Sequence, residues 1–377
     1  MKNRYMRLLC VLMTVMLLWS GVLVTQAAGN GKSSSSIGEV YVGGMPFGVK
    51  FTTEGVMVVG FCDVEDASGR DSRSQGINPA REAGIKLKDV ITHVNGTQLS
   101  SAEDLSKAVE TSNGQSLSLT VRRTTAKSSV SKTARSTKTA EKTVGSEVLN
   151  IKVTPVKSRN EGRYKTGLWV RDTGAGIGTV TFIIPSTNAF AGLGHGICDG
   201  DTGELIPMQR GVVTDVTVSG IERGEAGDPG AIKGYFAPGK KGALISNTEC
   251  GVYGIYATRP DTAEQKICVA TRDEVVDGDA TVLCTLDNGK PCAYSVKISH
   301  IDMTAQGSKC FTVTVTDPEL ISKTGGIIQG MSGSPIIQNG KLVGAVTHVL
   351  VNDPTTGYGI FIENMLNAAQ MPMQKVA

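Results

Sequence analysis

The sequence predicts a strand-dominated fold in two parts, a small mixed α/β part followed by a larger part built almost wholly of strands. Two observations carry this. From Gly167 onward short apolar runs recur between Gly, Asn and Asp turns, at 168–171, 178–184, 233–236, 242–245, 267–270, 280–286, 294–299, 311–316, 333–338 and 342–351, the texture of a β-barrel or sandwich, with only 363–370 helical. Before that, between about 40 and 156, strands alternate with two helical stretches. A chain of 377 residues also exceeds what one ordinary core organises, which fits two domains.

Lys2, Arg4 and Arg7 precede an apolar run over 8–24, with Ala27 and Ala28 behind it. This is the pattern of an export segment over 1–28, either cleaved or retained as an N-terminal membrane anchor. Residues 29–39 are small and polar, as a flexible linker is. Strands are expected at 49–51, 55–60 and 90–94, the last leading into an Asn95-Gly96 turn. Helices are expected from Asn78-Pro79 and over 102–111, where Ser100 and Ser101 precede Glu103 and Asp104. Another strand follows at 116–122. Residues 124–146 are rich in Thr, Ser and Lys with few large apolar side chains, so they bury too little to offset ordering and read as a disordered basic insertion. Beyond them, over 147–155, Leu149, Ile151 and Val153 alternate with polar residues. A hairpin is expected in which 117–122 pairs with 148–153 across the insertion, the alternative being that 124–146 is an interdomain linker.

The formal charge of +3 is unevenly spread. Residues 1–28 hold three of the excess cations, and 124–146 sets five Lys and Arg against Glu141, so the remainder is net negative. A nucleic-acid-binding surface gains no support from this. Cys62, Cys198, Cys250, Cys268, Cys284, Cys292 and Cys310 follow the export segment at irregular spacings, without a metal-type pair. They read as small buried residues rather than a disulfide scaffold, and no metal or organic cofactor is implied.

Gly330-Met331-Ser332-Gly333-Ser334-Pro335 is the segment richest in chemistry. Its glycines permit a sharp turn that lifts the serine oxygen clear of the backbone and leaves amides free to bind an oxyanion. The pattern resembles the Gly-x-Ser-Gly-x-Pro signature of chymotrypsin-like proteases, which implies Ser332 as nucleophile and the amides of Gly330 and Ser332 as the oxyanion hole. Of the four histidines, His93 and His348 sit within strands and His300 follows one. His195 instead occupies a glycine-flanked turn, Gly194-His195-Gly196, behind an apolar strand and 137 residues before Ser332. That spacing leaves room for the histidine and serine to meet between two barrels, with His195 as general base.

The blocks Gly192-Leu193-Gly194-His195-Gly196-Ile197-Cys198-Asp199, 325–340 and 343–349 resemble the SpoIVB peptidases. The resemblance spans nearly the whole exported chain. It implies a double β-barrel serine endopeptidase of sporulation, acting between the two forespore membranes. Its substrate would be a membrane-embedded regulatory complex, with self-cleavage alongside. It also implies Asp317 as the candidate catalytic acid, Asp199 being the alternative. The first part resembles a bacterial PDZ domain over 40–157, followed by a peptidase domain over 158–377. In that domain Pro46, Phe47, Gly48 and Val49 would form the loop that receives a peptide's terminal carboxylate, the peptide adding as a strand. Competing readings are a general quality-control protease of the HtrA kind and a PDZ adaptor with an inactive peptidase domain.

Overall fold

The computed structural model describes residues 38–67, 76–127 and 143–373. The expected export segment, nearly all of the 29–39 linker and residues 128–142 lie outside these. Within the described residues, six strands close a first barrel in the order Pro46–Phe61, Leu168–Ile183, Ala189–Gly192, Gly251–Tyr256, Gly242–Thr248 and Met208–Thr214, the last pairing back onto the first. A second ring runs Gly278–Cys284, Cys292–Ser299, Phe311–Val315, Asp353–Phe361, Lys341–Leu350 and Pro335–Gln338, which returns to Gly278–Cys284. The architecture is a double β-barrel. Strand Lys266–Val269 joins the two, lying antiparallel to Glu39–Val42 and parallel to Lys341–Leu350. Glu39, expected to end the linker, is paired with Cys268.

The first barrel is filled by Met45, Phe47, Val49, Phe51, Val180, Phe190, Leu193 and their neighbours, and the rings of Phe47 and Phe190 meet edge-on with centroids 5.5 Å apart. This corrects the assignment of Pro46–Val49 to a carboxylate-binding loop. The four residues form ladder pairs with Thr179 to Gly176 on one side, and Gly48 and Val49 pair with Thr214 and Val213 on the other, so their backbone is engaged. Phe47 is 1% exposed. Burying such a ring is worth about 2–3 kcal/mol, which no peptide-binding loop at the surface would gain.

The domain boundaries are corrected by the same strands. Strand Pro46–Phe61 starts in the first barrel, bulges at Gly55, and continues as part of the small domain, where Val56 and Met57 pair with Ile91 and Val90. Strand Leu168–Ile183 returns along it, pairing first with Phe61 to Met57 and then with Thr52 to Pro46. The small domain is therefore inserted into the first barrel instead of preceding the peptidase. Its core contains Val58, Ile85, Ile91, Leu105, Val109, Leu119, Val121 and Val153. Helix Ala102–Thr111 buries Leu105 and Val109, one turn apart on a single face, and Ser101 caps it by accepting from Asp104 N at 3.1 Å.

Strand Leu117–Lys127 pairs with Thr143–Val153 from Leu117 opposite Val153 to Lys127 opposite Thr143. The hairpin of the sequence reading is present, and its strands run further than expected. Residues 124–127 and 143–146, placed in the disordered insertion by composition, belong to the ladder.

Candidate active site

His195 and Ser332 come from different barrels, on turns packed against each other: a Cβ on Gly333 would come within 2.4 Å of Leu193 N. His195 follows strand Ala189–Gly192 through a tight turn in which Leu193 and Gly194 both hold φ of +66°. A leucine in this conformation is strained, by about 1 kcal/mol or more. Burial of Leu193 in the first barrel's core, at 7% exposure, offsets that strain. Asn247 braces the far side of the turn. Its side chain accepts from Ile197 N and donates to Ile197 O, both at 2.8 Å, and donates to Ile206 O at 3.0 Å.

Nδ1 of His195 lies 2.8 Å from the carbonyl oxygen of Gly196. A carbonyl only accepts, so Nδ1 carries the proton and the neutral ring keeps its Nε2 lone pair free. Burial holds the imidazole below its ordinary pKa, and the Gly196 carbonyl opposes that in part. The ring of His348 lies against it, with centroids 4.8 Å apart and planes tilted by 36°. Both rings line a cavity of about 370 Å³ with Val49, Gly176, Ile177 and Leu193.

The loop at Ser332 is held by its carbonyls. Thr179 donates its hydroxyl to Gly330 O at 2.8 Å and its backbone N–H to Ser332 O at 2.9 Å. Thr181 donates to Gly333 O at 2.7 Å. Ile232 N donates to Gln329 O at 2.8 Å and Ser334 N to Met331 O at 2.9 Å, fixing the two peptide planes whose N–H groups belong to Gly330 and Ser332. Those two amides have no acceptor among the described residues. Gly330 takes φ +99°, and a Cβ on Gly333 would lie 2.1 Å from Thr179 O, so the turn demands glycine at both places. Nothing in the sequence pointed to Thr179 or Thr181, which look like ordinary alternating strand residues. The hydroxyl of Ser332 donates to Thr347 O at 2.8 Å.

The structure does not bring Asp317 to His195. Asp317 is the N-cap of helix Pro318–Thr324: Oδ1 accepts from Glu319 N at 3.0 Å and Leu320 N at 3.1 Å, and Oδ2 accepts from Ser295 N at 3.2 Å. These amides hold its carboxyl below the usual range. The Asp317-Pro318-Glu319 run is a helix-start signal; that role occupies Oδ1, and Ser295 of strand Cys292–Ser299 occupies Oδ2. Asp199, the alternative acid, is 1% exposed and braces its own loop. Its Oδ1 accepts from Asp201 N, Thr202 N and Thr202 Oγ1, and its other oxygen pairs with Arg171. Of the remaining histidines, His93 lies in the inserted domain against Thr92 Oγ1, and His300 lies against Ser299 Oγ.

The model of the SpoIVB peptidase S55 family matches residues 162–366, and a PDZ domain model matches residues 78–123. The chain belongs to the SpoIVB peptidase S55 family. It is a serine endopeptidase with a PDZ domain set into its first barrel. Both members of the His195 and Ser332 pair fall inside the family match. Similar solved structures include the Rv3671c protease of M. tuberculosis in its active form, at 15% identity and TM-score 0.29, covering 53% of this chain and 74% of that one. An inactive form of the same protease gives 16% identity and TM-score 0.28, covering 53% and 84%. Likenesses this slight add nothing to the assignment. No curated protein sequence matches the chain.

Proposed function

We propose that this peptidase acts outside the cytoplasm in sporulation signalling. In this reading it cuts a membrane-bound regulatory protein between the forespore membranes and also cuts itself. Ser332 is the nucleophile, His195 its base, and Gly330 N and Ser332 N bind the oxyanion. The observation that carries the chemistry is the pair of unengaged amides on a turn whose every neighbouring carbonyl is tied down. Donors fixed in advance cost no reorganisation when charge develops, and each is worth about 10²–10³ in rate.

Ser332 Oγ turns from Thr347 O to His195 Nε2, gives up its proton and attacks the scissile carbonyl. The carbonyl oxygen, now negative, sits between the two amides, and His195 returns the proton to the leaving amine as the C–N bond breaks. Water then repeats the cycle on the acyl-enzyme, and Ser332 recovers its proton. The carbonyl of Gly196 takes the place at Nδ1 that a carboxylate fills in a full triad.

For peptide recognition by the PDZ domain, the groove in keeping with this fold lies between helix Ala102–Thr111 and the chain from Tyr164 to Val170, lined by Leu105, Val109, Leu168 and Trp169. The export and membrane location rest on residues 1–28 alone.

A second reading, an inactive adaptor, is favoured by one observation, the Ser332 hydroxyl pointing to Thr347 O. Labelling by a fluorophosphonate probe decides between them. The peptidase reading expects labelling that disappears in both Ser332→Ala and His195→Ala. Full-chain protein that takes no label under conditions where trypsin does would establish the adaptor.

A further inference from the structure

Consecutive residues of strand Lys341–Leu350 touch both members of the catalytic pair: the Thr347 carbonyl holds the Ser332 hydroxyl, and the His348 ring lies on His195. No carboxylate reaches His195 among the described residues, so the imidazolium formed during attack has two neighbours, the Gly196 carbonyl and the His348 ring. We propose that His348 is a positioning residue of the peptidase, fixing the plane of the His195 ring and offering it a neutral aromatic face while His195 carries the proton. This rests on the assignment of His195 as base.

The geometry makes His348 suited to that task. Its Nδ1 is buried without a hydrogen-bond partner, so the ring is not anchored by a polar contact of its own on that side. Its position instead follows from strand pairing with Tyr358 and from packing on His195. The charged and titratable groups around it are His195 from the first barrel's turn, Cys198 on the same cavity wall, Tyr358 from the neighbouring strand and Lys309. Lys309 lies over the Tyr358 ring, 5.1 Å from its centroid. Burial first, then the prospect of a cation at His195 and the cation at Lys309, all oppose a charge on His348 and push its pKa down to about 4. A neutral neighbour permits the imidazolium at His195; a cationic one would oppose it by direct repulsion.

The test compares full-chain His348→Ala, His348→Phe, His348→Gln and His348→Lys by peptide hydrolysis and by the rate of fluorophosphonate labelling across pH. His348→Ala should lower kcat/KM about 10–100-fold, as loosened catalytic geometry does. Its acid limb should move to higher pH, because water reaching His195 favours its charged form. His348→Phe, which keeps a neutral ring, should stay within about threefold of the parent with its limb in place. His348→Lys should be nearly inactive at neutral pH while remaining folded by circular dichroism. An acid limb that stays in place in His348→Ala would overturn the proposal. Should that variant fail to fold, equal activity of the Phe and Gln variants would do so. Labelling that survives Ser332→Ala would instead refute the site assignment itself, whatever the His348 variants show.

Discussion

Ser332 Oγ donates to the carbonyl oxygen of Thr347 across 2.8 Å, one residue before His348, whose ring lies on that of His195. Ser332→Ala removes only that exchangeable bond, at a turn held by other groups. The variant should fold with an unchanged melting temperature and lose at least about 10⁴-fold in peptide hydrolysis. Ser334→Ala is the control. Its hydroxyl is buried without a partner, so its removal should leave both stability and activity intact, measured by thermal denaturation and turnover.

Thr179→Val keeps the backbone N–H that binds Ser332 O and loses the hydroxyl that binds Gly330 O. With one side of the oxyanion turn released, kcat should fall about 10-fold at little change in KM, and Thr179→Ser should restore it. A parallel loss of affinity for a boronic-acid transition-state analogue would identify the effect as oxyanion binding.

Asp317→Ala should cost about 1 kcal/mol of stability through the lost helix cap, with kcat/KM unchanged. Asp317→Asn, which still caps, should cost less. A large fall in turnover for Asp317→Asn without loss of structure would return this carboxylate to the catalytic machinery.

Burial and neighbouring cations hold His348 near pKa 4 in the folded state, against about 6.5 unfolded. The unfolded chain therefore binds a proton first as pH falls. The contribution of this residue to stability is complete above about pH 6.5 and is lost as pH drops towards 4. His348→Phe should flatten the decline of melting temperature across that interval.

Limited trypsin digestion at Lys132, Arg135, Lys138 or Lys142 should leave a nicked protein that elutes undivided in size-exclusion chromatography. The strands on either side of these sites pair over their full length, from Leu117–Val153 to Lys127–Thr143. Separation of two fragments without denaturant would contradict that pairing.

The parts of this fold open to sequence reading were those whose signals are local. The alternation of Leu149, Ile151 and Val153 with Asn150 and Lys152 reports a half-buried strand, and the glycines around Ser332 and His195 report turns with special backbone. Pro46–Val49 misled because a strand enclosed in a barrel has an apolar, Gly- and Pro-bearing look that a binding loop shares, and only its long-range partners Thr179 and Val213 tell them apart. Thr179 and Thr181 act on residues about 150 positions away. Asp317 came from the family resemblance, which carries no information on the helix start that Pro318 marks, and that helix start is where its Oδ1 is bound.

Strand Leu168–Ile183 lines the PDZ groove at Leu168–Val170 and the catalytic cavity at Gly176 and Ile177. An extended strand rises about 3.3 Å per residue, so roughly 26 Å of strand separates Trp169 from Ile177. A polypeptide gripped by the groove and cut at Ser332 in the same visit must span that gap. About eight extended residues between the gripped segment and the scissile bond are the least that will reach. If substrate is held in the groove as proposed, the inserted domain sets a minimum tether length that shorter tails fail whatever their sequence.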